Sequence, residues 1–305
     1  MIHVVDAMGF DVRLATPARR IVSLVPSETE LVAQLGAGDR LVGRTEYCIA
    51  PAEVVANVPA VGGTKNASVD AIVDLRPDLV LANQEENTEA MVVALRERGA
   101  CVHVSFPKTV TDALALAETV ARLVGIDPAA VGPIASARAS IALAETARAS
   151  SRPVRVFCPI WMDPLMTLHG DTFMSDVLDL AGAVNVFADR PRRYPLAADL
   201  GRADPWPASR VAGRDTRYPR VTLDEVVARA PEVIVLPDEP HAFTDADAAV
   251  FRALDTPASR DGRIVFIDGK DVCWYSLRVA SGIARIRGAI GPARGAVLSP
   301  TRSAI

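Results

Sequence analysis

The chain has 305 residues, 50% hydrophobic and 23% charged, a globular composition with length for two cores and not that of a disordered chain. The net charge of −4, with Lys and Arg reading as dispersed, argues against nucleic acid as a principal partner. No uninterrupted apolar run reaches the ~18 residues of a membrane span.

The first segment, Ile2-His3-Val4-Val5-Asp6, reads as a strand. Residues 1–20 contain Asp6, Asp11, Arg13, Arg19 and Arg20 and no apolar stretch of the ~7–15 residues that a secretory signal needs. The expectation is therefore a cytoplasmic protein, the alternative being an exported one whose signal has been removed.

Ile21–Val25 is a short apolar run of the kind that fills a parallel sheet. Pro26 stops it, and Ser27 with Glu30 three residues on predicts a capping box opening a helix over 28–35. Gly36-Ala37-Gly38 follows a helix, not a strand, so it reads as a helix stop and turn. Further helices are predicted over 69–74, 88–97 and 110–124, with strands over 79–82 and 102–105. This alternation predicts a parallel sheet with right-handed crossovers.

Ile126-Asp127-Pro128 breaks the pattern, and an Ala-rich helix is predicted over 129–149. A strand over 155–160 and a helix over 172–180, stopped by Gly182, follow. Residues 188–220 read as a long loop with no apolar period. A helix over 222–229, strands over 233–236 and 264–267, and a closing helix over 281–290 complete the pattern. The fold class is α/β, with two Rossmann-like lobes of parallel sheet joined by one long helix. The predicted boundaries are 1–125 for the first lobe, 126–152 for the connecting helix, 153–292 for the second lobe and 293–305 for a flexible tail.

In open α/β sheets, ligands bind outside the carboxyl ends of the strands. Those ends deliver Ser27 and Glu28; Asn83, Gln84, Glu85 and Glu86; Phe106; Trp161, Met162 and Asp163; Asp238, Glu239, Pro240 and His241; and Asp268. Trp274 and Tyr275 follow Gly269-Lys270-Asp271, which reads as an exposing turn. A rim with flat aromatic walls and a few polar groups suits a bulky organic ligand. Glu85 and Glu86 also read as solvated acids at a helix start. Two acids and a histidine at 238–241 suggest a metal or a cationic group, with His103 and His241 as the histidine ligands. The four cysteines form no CxxC pair and read as reduced thiols. Of these, Cys101 and Cys158 are expected in the core. Cys48 and Cys273, beside Tyr47 and Trp274, are candidates for the ligand site.

Enzyme signatures are absent: there is no HExxH, no GxSxG, and Gly262 with Gly269-Lys270-Asp271 misses the Walker spacing and its Ser or Thr. The chain is expected not to be an enzyme, although a metal-dependent enzyme on the same scaffold stays open.

The phrases RIVSLVPSETELVAQLGAGDRLVG, RPDLVLAN, DTFMSDVLDLAGAVNVF, RYPRVTLDEVVARAPEVIVLPDEP and IVFIDGKDVCWY occur in that order over roughly residues 18–285. Together they resemble the cobalamin- and iron-siderophore-binding class of ABC-transporter substrate-binding proteins. Tyr47-Cys48, the segment 62–66 with Lys65, and Arg217-Tyr218-Pro219 resemble its helical-backbone metal receptor subgroup. The resemblance implies a small metal-containing ligand, such as cobalamin, a haem-like group or another metal chelate, held without catalysis in a cleft between the lobes. Ligand contacts are expected from Ser27, Glu28, Cys48, Lys65, Glu85, Glu86, Trp161, Asp238, Glu239, Trp274 and Tyr275, and a single helical strut predicts only modest hinge motion. In this class a surface acid on each lobe, usually glutamate, docks with arginines of a membrane permease. The matching positions are Asp70 and Asp224. Both carry the shorter acid, which argues against docking to an ABC permease.

Overall fold

The computed structural model describes residues 1–291, so the expected tail at 293–305 lies outside the described residues. The chain divides into two compact units, residues 1–140 with 274–280, and residues 141–273 with 281–291.

The first unit opens with an antiparallel hairpin of β1 (Ile2–Val5) and β2 (Asp11–Leu14). Asp6 closes its turn by accepting the Met8 and Phe10 amides at 2.9 Å each. Then follow β3 (Ile21–Ser23), α1 (Pro26–Gln34), β4 (Leu41–Arg44), α2 (Ala52–Val55), α3 (Val69–Asp74), β5 (Leu79–Asn83), α4 (Glu89–Glu97), β6 (Val102–Ser105) and α5 (Val110–Leu123). The four later strands form a parallel sheet in the order β4-β3-β5-β6. β3 and β5 lie inside it and are buried along their whole length, which is why they read as unbroken apolar runs. Side-chain caps from Ser68, Thr88 and Thr109 start α3, α4 and α5. Gly36, at φ +76°, ends α1 in the left-handed region that a Cβ disfavours.

The capping box expected at Ser27 and Glu30 does not form. Pro26 has no amide hydrogen and a helical φ, so it takes the first helical position and moves the cap to Val25, whose side chain makes no capping hydrogen bond. Ser27 thus lies inside the helix and is buried.

The Ala-rich helix α6 is Gly132–Ala149; its residues to 140 belong to the first unit and the rest to the second. The second unit continues with β7 (Val154–Phe157), β8 (Pro159–Met162), β9 (Leu165–Thr167), α7 (Phe173–Leu180), β10 (Ala183–Asn185), α8 (Leu196–Asp199), α9 (Ala208–Val211), α10 (Leu223–Arg229), β11 (Val233–Pro237), α11 (Asp245–Arg252), α12 (Pro257–Arg260), β12 (Ile264–Ile267), α13 (Lys270–Cys273) and α14 (Val279–Ile290). Its parallel sheet runs β10-β7-β11-β12, and its core packs Phe157, Phe187 and Phe251 with rings edge-on or tilted.

Two expectations change here. The single strand over 155–160 is two: Pro159, with no amide to donate, ends the parallel ladder, and the chain turns into the antiparallel β8–β9 hairpin. The loop over 188–220 contains two single-turn helices and is organised by a buried arginine. Arg190 donates to the Asp199 carboxylate at 2.9 Å, to the Asp199 carbonyl at 2.7 Å and to Glu225 at 3.0 Å.

Candidate functional site

In the first unit, the carboxyl ends of β3, β5 and β6 bring together an amide-rich edge. Asn83 closes β5 and accepts the Glu85 and Glu86 amides at 2.8 and 3.2 Å, while its own amide group donates to the Ser105 carbonyl and hydroxyl at 3.1 and 3.0 Å. Asn87 accepts the Asn83 amide at 2.8 Å and donates to the Leu24 and Thr64 carbonyls at 3.3 and 2.8 Å. The two asparagines thereby lock the strand ends to the 62–66 segment, where Gly62 holds φ +115°. Lys65 donates from its ammonium to the Glu85 carbonyl.

Glu28 is the unusual member. It is fully buried in the first turns of α1. Ser105 donates to its Oε1, and among the described residues its Oε2 has no hydrogen-bond partner. Burial pushes its carboxyl up to about 8, with the Ser105 hydrogen bond only partly opposing that. At neutral pH it is therefore chiefly a neutral acid. Tyr275 stands in the same unit, its phenol held well above its ordinary value by burial and by the nearby charges of Glu28 and Glu86. The segment 274–280 that carries Tyr275 is fastened to α1: Ser276 and Arg278 both donate to Glu30, the latter at 2.9 Å, and the Leu277 amide donates to Gln34 at 2.9 Å. Glu30 is thus an anchor for a chain segment far along the sequence, not a helix cap.

In the second unit, Trp161 on β8 is 43% exposed. Its indole donates to the Asp163 carbonyl at 3.1 Å, and its ring centre lies 5.4 Å from that of His241, which meets Phe243 edge-on at 4.6 Å. Asp238 accepts the Gly269 amide at 2.6 Å. The Lys270 ammonium lies 3.5 Å from Glu239 and 3.6 Å from Asp268. Burial lowers its pKa, and Glu239, Asp268 and Asp238 together outweigh that and leave it raised. Asp238 and Glu239 are therefore part of a charge-compensated network. Cys273 lies at its border, its sulfur 3.8 Å from Glu239.

Several sequence expectations need correcting. Cys48 does not line an open site: it is fully buried, its Sγ 3.1 Å from the Thr45 hydroxyl, and burial raises its pKa. The exposed member of that pair is Tyr47. Residues 270–273 form a helical turn, so Trp274 and Tyr275 are buried, at 5% and 7% exposure, not displayed by a turn. Cys101, expected in the core, is half-buried. The metal assignment of His103 and His241 finds no support within either unit. His103 is a core histidine on β6, its pKa brought down to about 4 by burial, with Asp6 opposing and Arg96 reinforcing the shift. Among the described residues no group of three or more His, Cys, Asp or Glu is placed to hold a metal ion. The sequence reading also missed Asn87, Ser105 and Glu30 as organisers. Asn87 follows the strand-ending Asn83 at helical spacing, the one signal that pointed to it.

Comparison with known proteins agrees with this architecture. The chain is 27% identical over 218 residues to the vitamin B12-binding protein of Vibrio cholerae, covering 72% of this chain and 70% of that one. Among solved structures, the periplasmic vitamin B12-binding protein BtuF of Vibrio cholerae superposes with a TM-score of 0.72 at 23% identity, over 92% of this chain and 99% of that one. The periplasmic haem-binding protein RhuT of Roseiflexus does so with a TM-score of 0.72 at 22% identity, over 91% and 99%. The sequence pattern of the periplasmic binding protein family spans residues 21–270, and the chain belongs to that family.

Proposed function

We propose that the protein is a non-catalytic binder of a corrinoid, haem-like or other metal-chelate ligand. Family membership carries this reading, together with relatives named for vitamin B12 and haem. The chemistry of the two sheet edges supports it. Trp161 offers an exposed aromatic face, and Lys65, Glu85, Glu86, Asp238 and Glu239 supply polar groups around the strand ends, with Ser27, Glu28 and Tyr275 buried behind the edge of the first unit. Trp274 and Cys48 have structural roles in this reading. The relatives' designation as periplasmic favours the exported alternative over a cytoplasmic one. In this reading residues 126–152 are the connecting segment between a first lobe at 1–125, joined by 274–280, and a second lobe that begins at 153. Asp70 and Asp224 occupy the positions of the permease-docking acids. Both are exposed, and Asp70 is held by Arg98 at 2.7 Å. An aspartate reaches less far than a glutamate, so docking to a permease is weak or absent.

The test is absorbance and native mass spectrometry on protein purified from its own host, followed by titration with haem and with cobalamin. Saturable binding of one of them is expected. Failure to bind either with no metal chelate co-purifying, or turnover of a substrate at a metal, would remove the reading.

A further inference from the structure

Residues 190–220 carry eight arginines and three aspartates, with no lysine, glutamate or histidine, a concentration that the whole-chain charge of −4 conceals. The aspartates neutralise it only in part: Asp199 is buried against Arg190 and also acts on Arg220, and Asp215 holds Arg217 at 2.7 Å with the Arg192 charge nearby. Among the described residues Arg192, Arg193, Arg202, Arg210, Arg214 and Arg220 make no ion pair with a carboxylate.

Aromatic rings hold several of these charges in place. The rings of Tyr194 and Trp206 are nearly parallel, at 16°, with centres 6.3 Å apart. The Arg192 guanidinium lies 4.4 Å from the Tyr194 centre, Arg210 lies 3.7 Å from that of Trp206, and Arg214 lies 5.2 and 5.4 Å from the two. The Tyr194 hydroxyl donates to the Asp215 carbonyl, and the Trp206 amide donates to the Tyr194 carbonyl, each at 2.7 Å. Arg220 belongs to the same group. Burial and then the neighbouring Arg192 charge lower its pKa, and Asp199 and Tyr194 only partly oppose the shift. Its Nε–H is buried and has no acceptor among the described residues. Like charges gathered around a buried donor without an acceptor are unfavourable on their own, and an anion relieves both defects.

The cluster also has a definite place. Arg220 bridges to Met166 on β9, the Thr167 amide donates to the Pro219 carbonyl at 3.0 Å, and the Val221 amide donates to the Leu165 carbonyl at 2.9 Å. The segment therefore lies along the β8–β9 hairpin that carries Trp161, at the carboxyl end of β7.

We propose that Arg192 and Arg220, flanked by Arg210 and Arg214 on the Tyr194–Trp206 pair, form a binding site for a carboxylate or phosphate group. The guanidinium fork fits either anion in two-pronged fashion. This deepens the ligand-binding reading and rests on it. The anion is an arm of the ligand, a carboxylate on a haem-like molecule or a phosphate on a corrinoid.

The test titrates the full chain at low ionic strength with citrate and, separately, with inorganic phosphate, following tryptophan fluorescence and heat. Saturable binding of at least one anion below about 10 mM is expected. Arg192→Gln combined with Arg214→Gln should weaken it roughly tenfold or more, as loss of charge-assisted hydrogen bonds does. Arg214 is exposed, so Arg214→Gln alone keeps the test open if the double variant does not fold. A preference for phosphate assigns a corrinoid-type arm, and a preference for citrate a haem-type arm. No saturable binding of either anion, or equal affinity in wild type and variants, overturns the site. Anion binding without binding of haem or cobalamin, and with no metal chelate co-purifying, keeps the site and ends the proposed function. Binding of haem or cobalamin that the variants leave unchanged ends the site and keeps the function.

Discussion

At the scale of single residues, Glu28 sets a clear pH signature. Its folded-state pKa of about 8 lies above the ordinary 4.5. Between those values the folded protein holds a proton that the unfolded chain has released, so stability is greatest at low pH and is lost as pH rises toward 8. The loss is up to about 1.4 kcal/mol per pH unit within that window. Glu28→Gln keeps the shape and an acceptor for Ser105 but cannot ionise. Urea unfolding at pH 5 and pH 8 should show the variant gaining stability over wild type at the higher pH. Equal pH slopes in the two proteins would mean that Glu28 titrates normally. Trp274 offers a second check. At 5% exposure it is a core side chain, so Trp274→Ala should cost about 3–5 kcal/mol of stability, measured by denaturant midpoint. A variant of wild-type stability with weakened ligand affinity would instead return Trp274 to the ligand site.

At the scale of elements, the segment 188–220 depends on one buried cation. Arg190 is 3% exposed and joins Asp199, which also accepts the amides of Arg193 and Arg220 at 2.8 and 2.7 Å. Arg190→Met should leave the Asp199 carboxylate buried without its countercharge, at a cost of about 3–5 kcal/mol. Trypsin should then cut within 190–220 much faster than in wild type, read by mass spectrometry of the fragments. An unchanged cleavage rate would show that the segment is held by other means. This is also where the sequence was least legible. The strands over 79–83, 102–105 and 233–237 and the helix over 69–74 announced themselves through local features, namely apolar runs bounded by polar turns and capping residues. Arg190 announced nothing and Glu30 announced only a cap that it does not form: Arg190 pairs with Asp199 nine residues on and with Glu225 35 residues on, Glu30 pairs with Arg278 248 residues on, and neither spacing nor composition encodes such ion pairs. Cys48 and Trp274 were misjudged for a related reason. A loop-like neighbourhood in sequence says little about whether the fold later covers it. Glu28 and Asn83 were found because the strand-end rule depends only on where a strand stops, which the apolar pattern does record.

At the scale of the whole molecule, ligand binding should appear as stability. A ligand that binds only folded protein adds about 2.7 kcal/mol when present at a hundred times its dissociation constant. For compact units of roughly this size that raises the unfolding temperature by about 5–10 °C. Haem or cobalamin, whichever binds, should produce that rise in a calorimetric scan of the full chain. If Arg192 and Arg220, flanked by the exposed Arg210 and Arg214, hold an anionic arm, the rise should shrink with added salt, because partly and fully exposed guanidiniums are screened over a length of about 10 Å at 0.1 M ionic strength. The aromatic contribution from Trp161 should survive, since burial of apolar surface does not weaken with simple salt. A rise that salt leaves intact would place the binding energy in the aromatic faces. Bound ligand in the absorbance spectrum with no rise at all would show attachment to unfolded chain as readily as to folded, and the binding would not be that of a folded site.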